Sequence, residues 1–222
     1  MTVFTIVYNG YERFLVNWLQ NISKQTTKPE EVIIVSGNGT FIDEKFLKNI
    51  YPFTHYHVKS DVMGVLRNKA VENIKSEYML YFSADDCLLP NAIETLKKYN
   101  EDVIALTYED IQINKSSIKR KSAIFKNNTN QWKILYPVPG YHCIRRIINN
   151  KVMYYEEIEI PNFPYLFMLE SENASMVQTE EVIAKYIRRV NSHGFIANKQ
   201  NKFIEYSKYI DGRVEHYAKK TR

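Results

Sequence analysis

A chain of 222 residues with 45% hydrophobic and 25% charged residues has the composition of a globular protein and the length for one sizeable hydrophobic core. Its two cysteines, without a CxxC spacing, exclude a disulfide framework and a cysteine-based zinc site; the lack of a signal peptide or of an apolar run of about 18 residues predicts a soluble, cytoplasmic protein without a transmembrane segment. The net charge of +5 is concentrated in residues 115–126 and 199–222, and such basic segments attract phosphate, nucleic acid or anionic lipid in some proteins and are solvated surfaces in most.

The beginning of the chain has the pattern of a βαβ unit. Residues 3–8 and 31–36 are β-branched and aromatic runs typical of buried strands, and residues 13–24 between them carry apolar side chains at helical spacing. Two strands joined by a helix in this way are expected to be parallel. Gly37 and Gly39 follow the second strand, but they do not complete the GxGxxG of a dinucleotide site.

A pair of histidines lies on the third predicted strand. Residues 42–50 predict a short helix, and residues 54–59 predict a strand on which His55 and His57 point to the same side. Two histidines at this spacing can bind a metal ion, but the sequence offers no third ligand nearby. We therefore favour an ordinary strand face.

Arg67 lies near the start of the next predicted helix, residues 64–74. The positive end of the helix dipole makes this an unfavourable place for a cation. One interpretation is that the guanidinium reaches the phosphates or the base of a nucleotide, and the other is a surface arginine in a local ion pair.

Two adjacent carboxylates, Asp85 and Asp86, follow the strand predicted for residues 78–82. Ligands of α/β sheets bind beyond the carboxyl ends of strands, and paired carboxylates suit a divalent cation that holds a diphosphate. The alternative is that these residues cap the helix predicted for residues 91–99, which begins beside Pro90.

The alternation of strands and helices weakens after a strand predicted for residues 103–108. The later predictions are a hairpin in residues 111–125, a short helix in 141–148, a helix start in 163–169, extended segments in 174–178 and 182–189, and an amphipathic basic helix in 195–222. This helix is expected to pack on the domain, and a membrane-surface or dimer helix is the alternative.

Four segments carry a resemblance to a known family. They are Thr5-Ile-Val-Tyr-Asn9, residues 15–25 with 31–35, Gly64-Val-Leu-Arg-Asn-Lys-Ala70 and Ser83-Ala-Asp-Asp-Cys-Leu-Leu-Pro90. In order and spacing they are similar to the PTYNR, SL..QT with EIIVVDDGS, G..ARN.G and DADD...P segments of the family 2 glycosyltransferases of GT-A fold. Residues 186–193 are similar to a late YR.H..S segment of many members.

The resemblance implies an α/β fold of GT-A type. This is a Rossmann-like, mixed and mainly parallel sheet flanked by helices, with an irregular C-terminal part and a C-terminal helix. Residues 1–110 would be the nucleotide-sugar-binding half, residues 111–194 the acceptor-side half of the same domain, and residues 195–222 the helix.

The resemblance also implies a reaction. Family members move a sugar from a nucleotide-diphospho-sugar to an acceptor hydroxyl, usually with inversion, and use Mn²⁺ or Mg²⁺ at the acidic motif. UDP is one expected nucleotide, and the acceptor would be a glycan, a lipid-linked molecule or a polymer. Nucleic acid is a weaker alternative that rests on the basic segment 115–126. The implied metal residues are Asp85 and Asp86, and the implied donor-binding residues are Thr5, Tyr8, Ser36, Arg67, Ser83 and Asp85.

The chain departs from the family pattern at three charged positions. Ser83 stands at the first acid of the DxD motif, and Ser36-Gly37 replace the acid pair whose carboxylate holds the nucleobase. Asn162 best matches the catalytic base, although an amide has no basic lone pair; Glu157 or Glu159 would serve if the register is shifted. A second hypothesis is therefore a non-catalytic relative that acts as a binding or assembly protein.

Overall fold

The computed structural model describes the first half of the chain continuously and the second half in segments. The described residues are 1–112, 117–121, 125–126, 132–133, 142–145, 152–154, 167–169 and 175–188. The candidate base residues Glu157, Glu159 and Asn162, and the helix predicted for residues 195–222, lie outside them.

Two parallel strands, β1 (Thr2–Val7) and β2 (Glu31–Ser36), form the predicted βαβ unit with the helix between them. A 3-10 turn (Glu12–Phe14) leads into this helix, α1 (Leu15–Ser23). Every residue of β1 is buried, because both faces of the sheet are covered at this strand. The apolar stripe of α1 is also buried and consists of Leu15, Trp18, Leu19 and Ile22.

Two further strands complete a parallel group in the order β3-β2-β1-β4. These are β3 (Thr54–His57) and β4 (Tyr78–Tyr81). The short helix α2 (Glu44–Lys48) precedes β3, and α3 (Met63–Asn73) connects β3 with β4. The predicted elements of this half are thus present, with α2 shorter than expected.

The core has two layers because alternate residues of a strand point to opposite faces of the sheet. Val3 and Val7 of β1 belong to the apolar cluster that contains the stripe of α1. Phe4 and Ile6 belong to a second cluster, with Leu66 of α3. Helices therefore cover both faces of the sheet.

The remaining elements extend this sheet and add a second, smaller one. They are β5 (Cys87–Leu88), α4 (Ala92–Leu96), β6 (Val103–Gln112), β7 (Ile118–Lys121), β8 (Phe125–Lys126), β9 (Trp132–Lys133), β10 (His142–Arg145), β11 (Val152–Tyr154), β12 (Phe167–Leu169) and β13 (Met176–Arg188). In the described part of the chain, nine strands form one sheet in the order β3-β2-β1-β4-β10-β6-β13-β5, with β7 paired to β6. The order of the second sheet is β11-β12-β9-β8.

The fold class is the predicted one, a mixed and mainly parallel α/β sheet flanked by helices. β6 and β13 are parallel, and the antiparallel β10 lies between β4 and β6. Because β10 and β13 come from residues 111–194, this part of the chain shares a sheet with the first 110 residues. The longest helix in the described segments is α3, with 11 residues, and no helix there has the length and apolarity to cross a membrane.

Two of the later helix predictions are wrong, whereas the extended segments predicted for residues 174–178 and 182–189 are found in strand β13. Residues 142–145 form strand β10 instead of a helix, because β4 and β6 both pair with them and leave Cys143 fully buried. Residues 167–169 form strand β12 and do not belong to a helix, since they pair with β9 and β11. The hairpin predicted for residues 111–125 is present as the antiparallel pairing of β6 and β7, but its first strand lies earlier, because residues 107–110 pair with residues 118–121.

Candidate functional site

The carboxyl ends of four parallel strands meet at one edge of the sheet. β1, β2, β3 and β4 end there at Val7, Ser36, His57 and Tyr81. This is the edge at which α/β sheets bind ligands, and the segments that follow each strand supply the side chains.

The acidic turn after β4 places its two carboxylates in different surroundings. Ser83 Oγ donates a hydrogen bond of 2.6 Å to Asp85 Oδ1, and Asp85 is partly exposed. Asp86 is only 5% exposed, and its Oδ1 accepts a hydrogen bond of 2.9 Å from the backbone N–H of Ile187 in β13. Asp85 is therefore the carboxylate of the pair that a ligand at the edge can reach more readily.

The helix-cap interpretation of these two residues is wrong. Helix α4 has Asn91 at its N-cap, and no side chain caps it. A two-residue strand, β5, separates the acidic turn from the helix and pairs with β13. The carboxylates thus belong to the sheet edge and not to the helix.

Tyr8 lies beside the acidic turn. Its ring centroid is 4.2 Å from that of Tyr11, and burial raises the pKa of its hydroxyl far above the usual tyrosine value. Neighbouring Tyr11, Tyr81 and Asp85 raise this pKa further. The Tyr8 hydroxyl therefore keeps its proton at physiological pH and can donate a hydrogen bond.

Arg67 is a buried residue and not the surface arginine of the alternative interpretation. It is 1% exposed, and its guanidinium carbon lies 4.1 Å from the ring centroid of Tyr81. Tyr81 in turn packs on Phe4, with ring centroids 5.4 Å apart. A cation stacked on an aromatic face in this way brings positive charge to the end of β4.

Ser36 is the centre of a hydrogen-bond chain that the sequence did not predict. The Ser36 side chain is fully buried, and its Oγ lies 2.8 Å from His55 Nε2 and 3.1 Å from His57 Nδ1. His55 Nδ1 lies 2.8 Å from Glu44 Oε1. The bonds from Lys48 and His55 hold the pKa of Glu44 below its usual value, so Glu44 is the ionised acceptor at the end of the chain.

The hydrogen-bonded series of Ser36, histidine and Glu44 has the residue types of a nucleophilic triad but not its surroundings. A serine nucleophile needs access to a substrate and free backbone N–H groups for an oxyanion. The N–H groups of Gly37 and Asn38, which follow Ser36, donate to Val7 O at 2.9 Å and Ser60 O at 3.3 Å. Ser36 and the two histidines therefore brace β2, β3 and α2 against each other.

The remaining predicted residues are placed away from the edge or outside the described segments. Thr5 is fully buried and shares a face of β1 with Val3 and Val7, which belong to the core. The structure thus brings Tyr8, Asp85 and Ser83 together at the edge and leaves Thr5 inside the sheet.

The acidic turn fits a divalent cation that receives most of its ligands from a bound diphosphate. Among the described residues no three histidine, cysteine, aspartate or glutamate side chains cluster as a metal site. Mg²⁺ is commonly held by one or two carboxylates together with substrate phosphates and water, so Asp85 alone provides a sufficient protein ligand of this kind.

Comparison with known proteins shows the family and the fold. The family described as Glycosyl transferase family 2 matches residues 2–156. EpsH of Bacillus subtilis (strain 168), which is named as a glycosyltransferase, is 26% identical over 100 residues, covering 43% of this chain and 29% of EpsH.

Solved structures of TarS from S. aureus are similar in fold. TarS 1–349 superimposes with a TM-score of 0.60 and 15% identity, covering 84% of this chain and 60% of that one. The same fragment in complex with UDP-GlcNAc gives a TM-score of 0.62 and 16% identity, covering 87% of this chain and 60% of that one. The chain therefore spans less than two thirds of the length of these relatives.

Proposed function

Because the chain belongs to glycosyl transferase family 2, we propose that it transfers a sugar from a nucleotide-diphospho-sugar to an acceptor hydroxyl. The observation that carries the proposal is the position of Asp85, which is partly exposed at the carboxyl end of β4 and beside Tyr8. UDP is the proposed nucleotide, since TarS of similar fold was solved in complex with UDP and with UDP-GlcNAc.

Different residues of the edge would bind different parts of the donor. Asp85, oriented by Ser83, would hold Mn²⁺ or Mg²⁺, and this cation would neutralise charge on the departing diphosphate. Tyr8 has a protonated hydroxyl that can donate to a phosphate or ribose oxygen. Arg67 adds positive charge at the end of β4, where its guanidinium stacks on the ring of Tyr81.

The acceptor side of the reaction needs a base. In an inverting transfer a carboxylate removes the proton of the acceptor hydroxyl as the sugar is transferred. Glu157 and Glu159 have the required chemistry, whereas Asn162 has none to accept a proton and would bind the acceptor instead. These three roles are part of the proposal, as are the inverting stereochemistry and the acceptor, a glycan, lipid-linked molecule or polymer.

Release of UDP from UDP-sugars tests the proposal. The wild-type chain is incubated with UDP-GlcNAc, UDP-glucose and UDP-galactose in the presence of Mn²⁺ and a panel of acceptors, and free UDP is measured. We expect release with one donor, and a loss of at least about 100-fold in Asp85→Ala, because a group that stabilises the leaving charge has been removed. Glu72→Gln, an equal change of charge at an exposed site on α3, is the control.

A specific observation supports a second function, that of a non-catalytic binding protein. Ser83 brings no charge where the first acid of the DxD motif is expected, and its hydroxyl donates a hydrogen bond to Asp85 Oδ1. A chain of this kind would bind the nucleotide-sugar without breaking it. Stabilisation by UDP-sugars together with no UDP release for any donor and acceptor would favour this second function over the first.

A further inference from the structure

The segment that follows β3 occupies the space that a side chain at position 37, directly after β2, would need. Gly37 is buried directly after β2, and a Cβ at this position would lie 2.7 Å from Ser60 O and 3.0 Å from Asp61 Oδ1. Contacts this short cannot form, so residue 37 must be glycine for the segment to lie where it does. The carboxylate of Asp61 thus stands against the backbone at the end of β2.

Backbone hydrogen bonds hold this segment in place. Val58 N–H donates to Ser36 O at 2.9 Å, and Asn38 N–H donates to Ser60 O at 3.3 Å. The Ser60 hydroxyl accepts from Val62 N–H at 3.1 Å. The position of Asp61 is therefore fixed from both sides before any ligand arrives.

Asp61 has no evident structural task of its own. Its side chain is exposed, and among the described residues it has one long hydrogen bond, 3.5 Å from Asn38 Nδ2. It does not cap α3, whose N-cap is Val62 without a side-chain cap. The backbone at Asp61 is thus held in place, while its carboxylate is available to accept hydrogen bonds from a ligand.

The spacing of strands β2 and β4, which precede Gly37 and Asp85, suits a nucleotide. Asp85 follows β4 and Gly37 follows β2, with β1 between these strands. Two strand spacings amount to about 10 Å, which is comparable to the reach of a nucleoside diphosphate from its phosphates to the far edge of its base. A nucleotide whose diphosphate lies at Asp85 can therefore place its base beside Asp61.

We propose that Asp61 reads the nucleobase of the donor by accepting a hydrogen bond from a ring N–H. The inference rests on the proposed function and specifies its donor. Uracil, thymine and guanine carry a ring N–H on the edge used for pairing, whereas cytosine and adenine present an unprotonated ring nitrogen there. An ionised carboxylate accepts from the ring N–H of the first group, whereas the lone pair of the ring nitrogen repels it in the second group, whose only donor on that edge is the exocyclic amino group. Asp61 thus selects UDP, dTDP or GDP over CDP and ADP.

The test compares UDP with CDP, which share a pyrimidine ring of the same size. Dissociation constants are measured from the rise in melting temperature of the full chain with each nucleotide and Mn²⁺. The wild type is expected to bind UDP more tightly than CDP. Asp61→Asn should bind UDP about 10- to 100-fold more weakly, the value of a hydrogen bond to a charged group, and should bind CDP at least as well as the wild type, because an amide can donate to the cytosine ring nitrogen.

Controls separate this proposal from the proposed function. Glu72→Gln removes the same charge from an exposed site on α3 and should leave both dissociation constants unchanged. If Asp61→Asn keeps the wild-type preference for UDP over CDP, the role of Asp61 is overturned while the proposed function stands. If the wild type binds none of these nucleotides, both are overturned. Melting without ligand verifies that Asp61→Asn is folded.

Discussion

The Asp86 carboxylate accepts a hydrogen bond of 2.9 Å from the backbone N–H of Ile187, 101 positions later in the chain. This bond ties the acidic turn after β4 to strand β13. Glu181, also on β13, receives hydrogen bonds from Asn91 at 3.4 Å and Thr95 at 3.2 Å around the start of α4. The acidic turn and the start of α4 are therefore both tied to one strand from the second half of the chain.

Asp86→Ala should destabilise the fold more than it affects the affinity for metal. The change removes the carboxylate acceptor of a partly buried hydrogen bond from Ile187 N–H, at a cost of about 1–3 kcal/mol in the free energy of unfolding. Asp86→Asn keeps an acceptor oxygen in the same place and should cost much less. The free energies of unfolding of the two variants are compared by urea denaturation. An equal loss of stability in both would show that the bond to Ile187 does not cause the destabilisation.

Ser83→Asp should lower the Mn²⁺ concentration needed for nucleotide binding. It adds a second carboxylate beside Asp85, which is 2.6 Å from the present hydroxyl, and a cation between two acids is held more tightly. A fall of about tenfold in the half-saturating Mn²⁺ concentration is expected. The measurement is a Mn²⁺ titration at fixed UDP, with Ser83→Ala as the control that removes the hydroxyl and adds no charge. A requirement for Mn²⁺ that stays the same in Ser83→Asp contradicts the metal role of the turn.

Gly37→Ala should destabilise the chain by about 1–3 kcal/mol through overpacking. The added Cβ would lie 2.7 Å from the backbone oxygen of Ser60, and a backbone atom cannot move away cheaply. Gly39 has a φ of +64°, which asparagine tolerates, and a Cβ there meets Asn9 Nδ2 only at 3.9 Å. Gly39→Asn is therefore a matched control, and thermal melting of both variants tests the argument. A tolerated Gly37→Ala would mean that the segment of Ser60 and Asp61 moves easily.

Tyr8→Phe should make the stability of the protein less sensitive to alkaline pH. The pKa of Tyr8 is raised in the folded state, so the folded protein holds a proton that the unfolded chain releases above about pH 10. Stability from this group is complete below that pH and falls above it, by at most about 1.4 kcal/mol per pH unit. Denaturant unfolding at pH 9 and pH 11 should show a smaller loss in Tyr8→Phe than in the wild type; equal losses would place the cause in the other tyrosines.

Local sequence pattern was sufficient for the first half of the fold. The helical spacing from Leu15 to Ile22 and the β-branched runs of β1 and β2 predicted the βαβ unit because each pattern is set by residues close in the chain. Residues 142–145 had no such pattern. Their strand exists because β4 and β6 supply partners on both sides, and a short apolar run does not reveal such distant pairing.

The same limit applies to the site. Alternation along β3 correctly placed His55 and His57 on one face, but their common partner Ser36 depends on the register between β2 and β3. Asp86 was predicted to bind metal, a role that its buried bond to Ile187 disfavours and that stays a prediction. The sequence does not indicate Asp61, because its closeness to Gly37 follows from the course of the loop after β3. Gly37 is the one sequence signal, because a glycine permits either a positive φ or the close approach of another group, and the structure shows the second.

The most direct test of a nucleotide-sugar site at the carboxyl ends of β1–β4 is the melting temperature of the full chain with UDP, with Mn²⁺, and with both together. A ligand that binds only the folded state adds about 2.7 kcal/mol of stability at a hundredfold excess over its dissociation constant. We expect a clear rise with UDP and Mn²⁺ together, a much smaller rise with either alone, and loss of the combined effect in Asp85→Ala. An unchanged melting temperature with UDP, GDP, CDP and dTDP in the presence of Mn²⁺ would contradict a nucleotide-sugar site at this edge of the sheet.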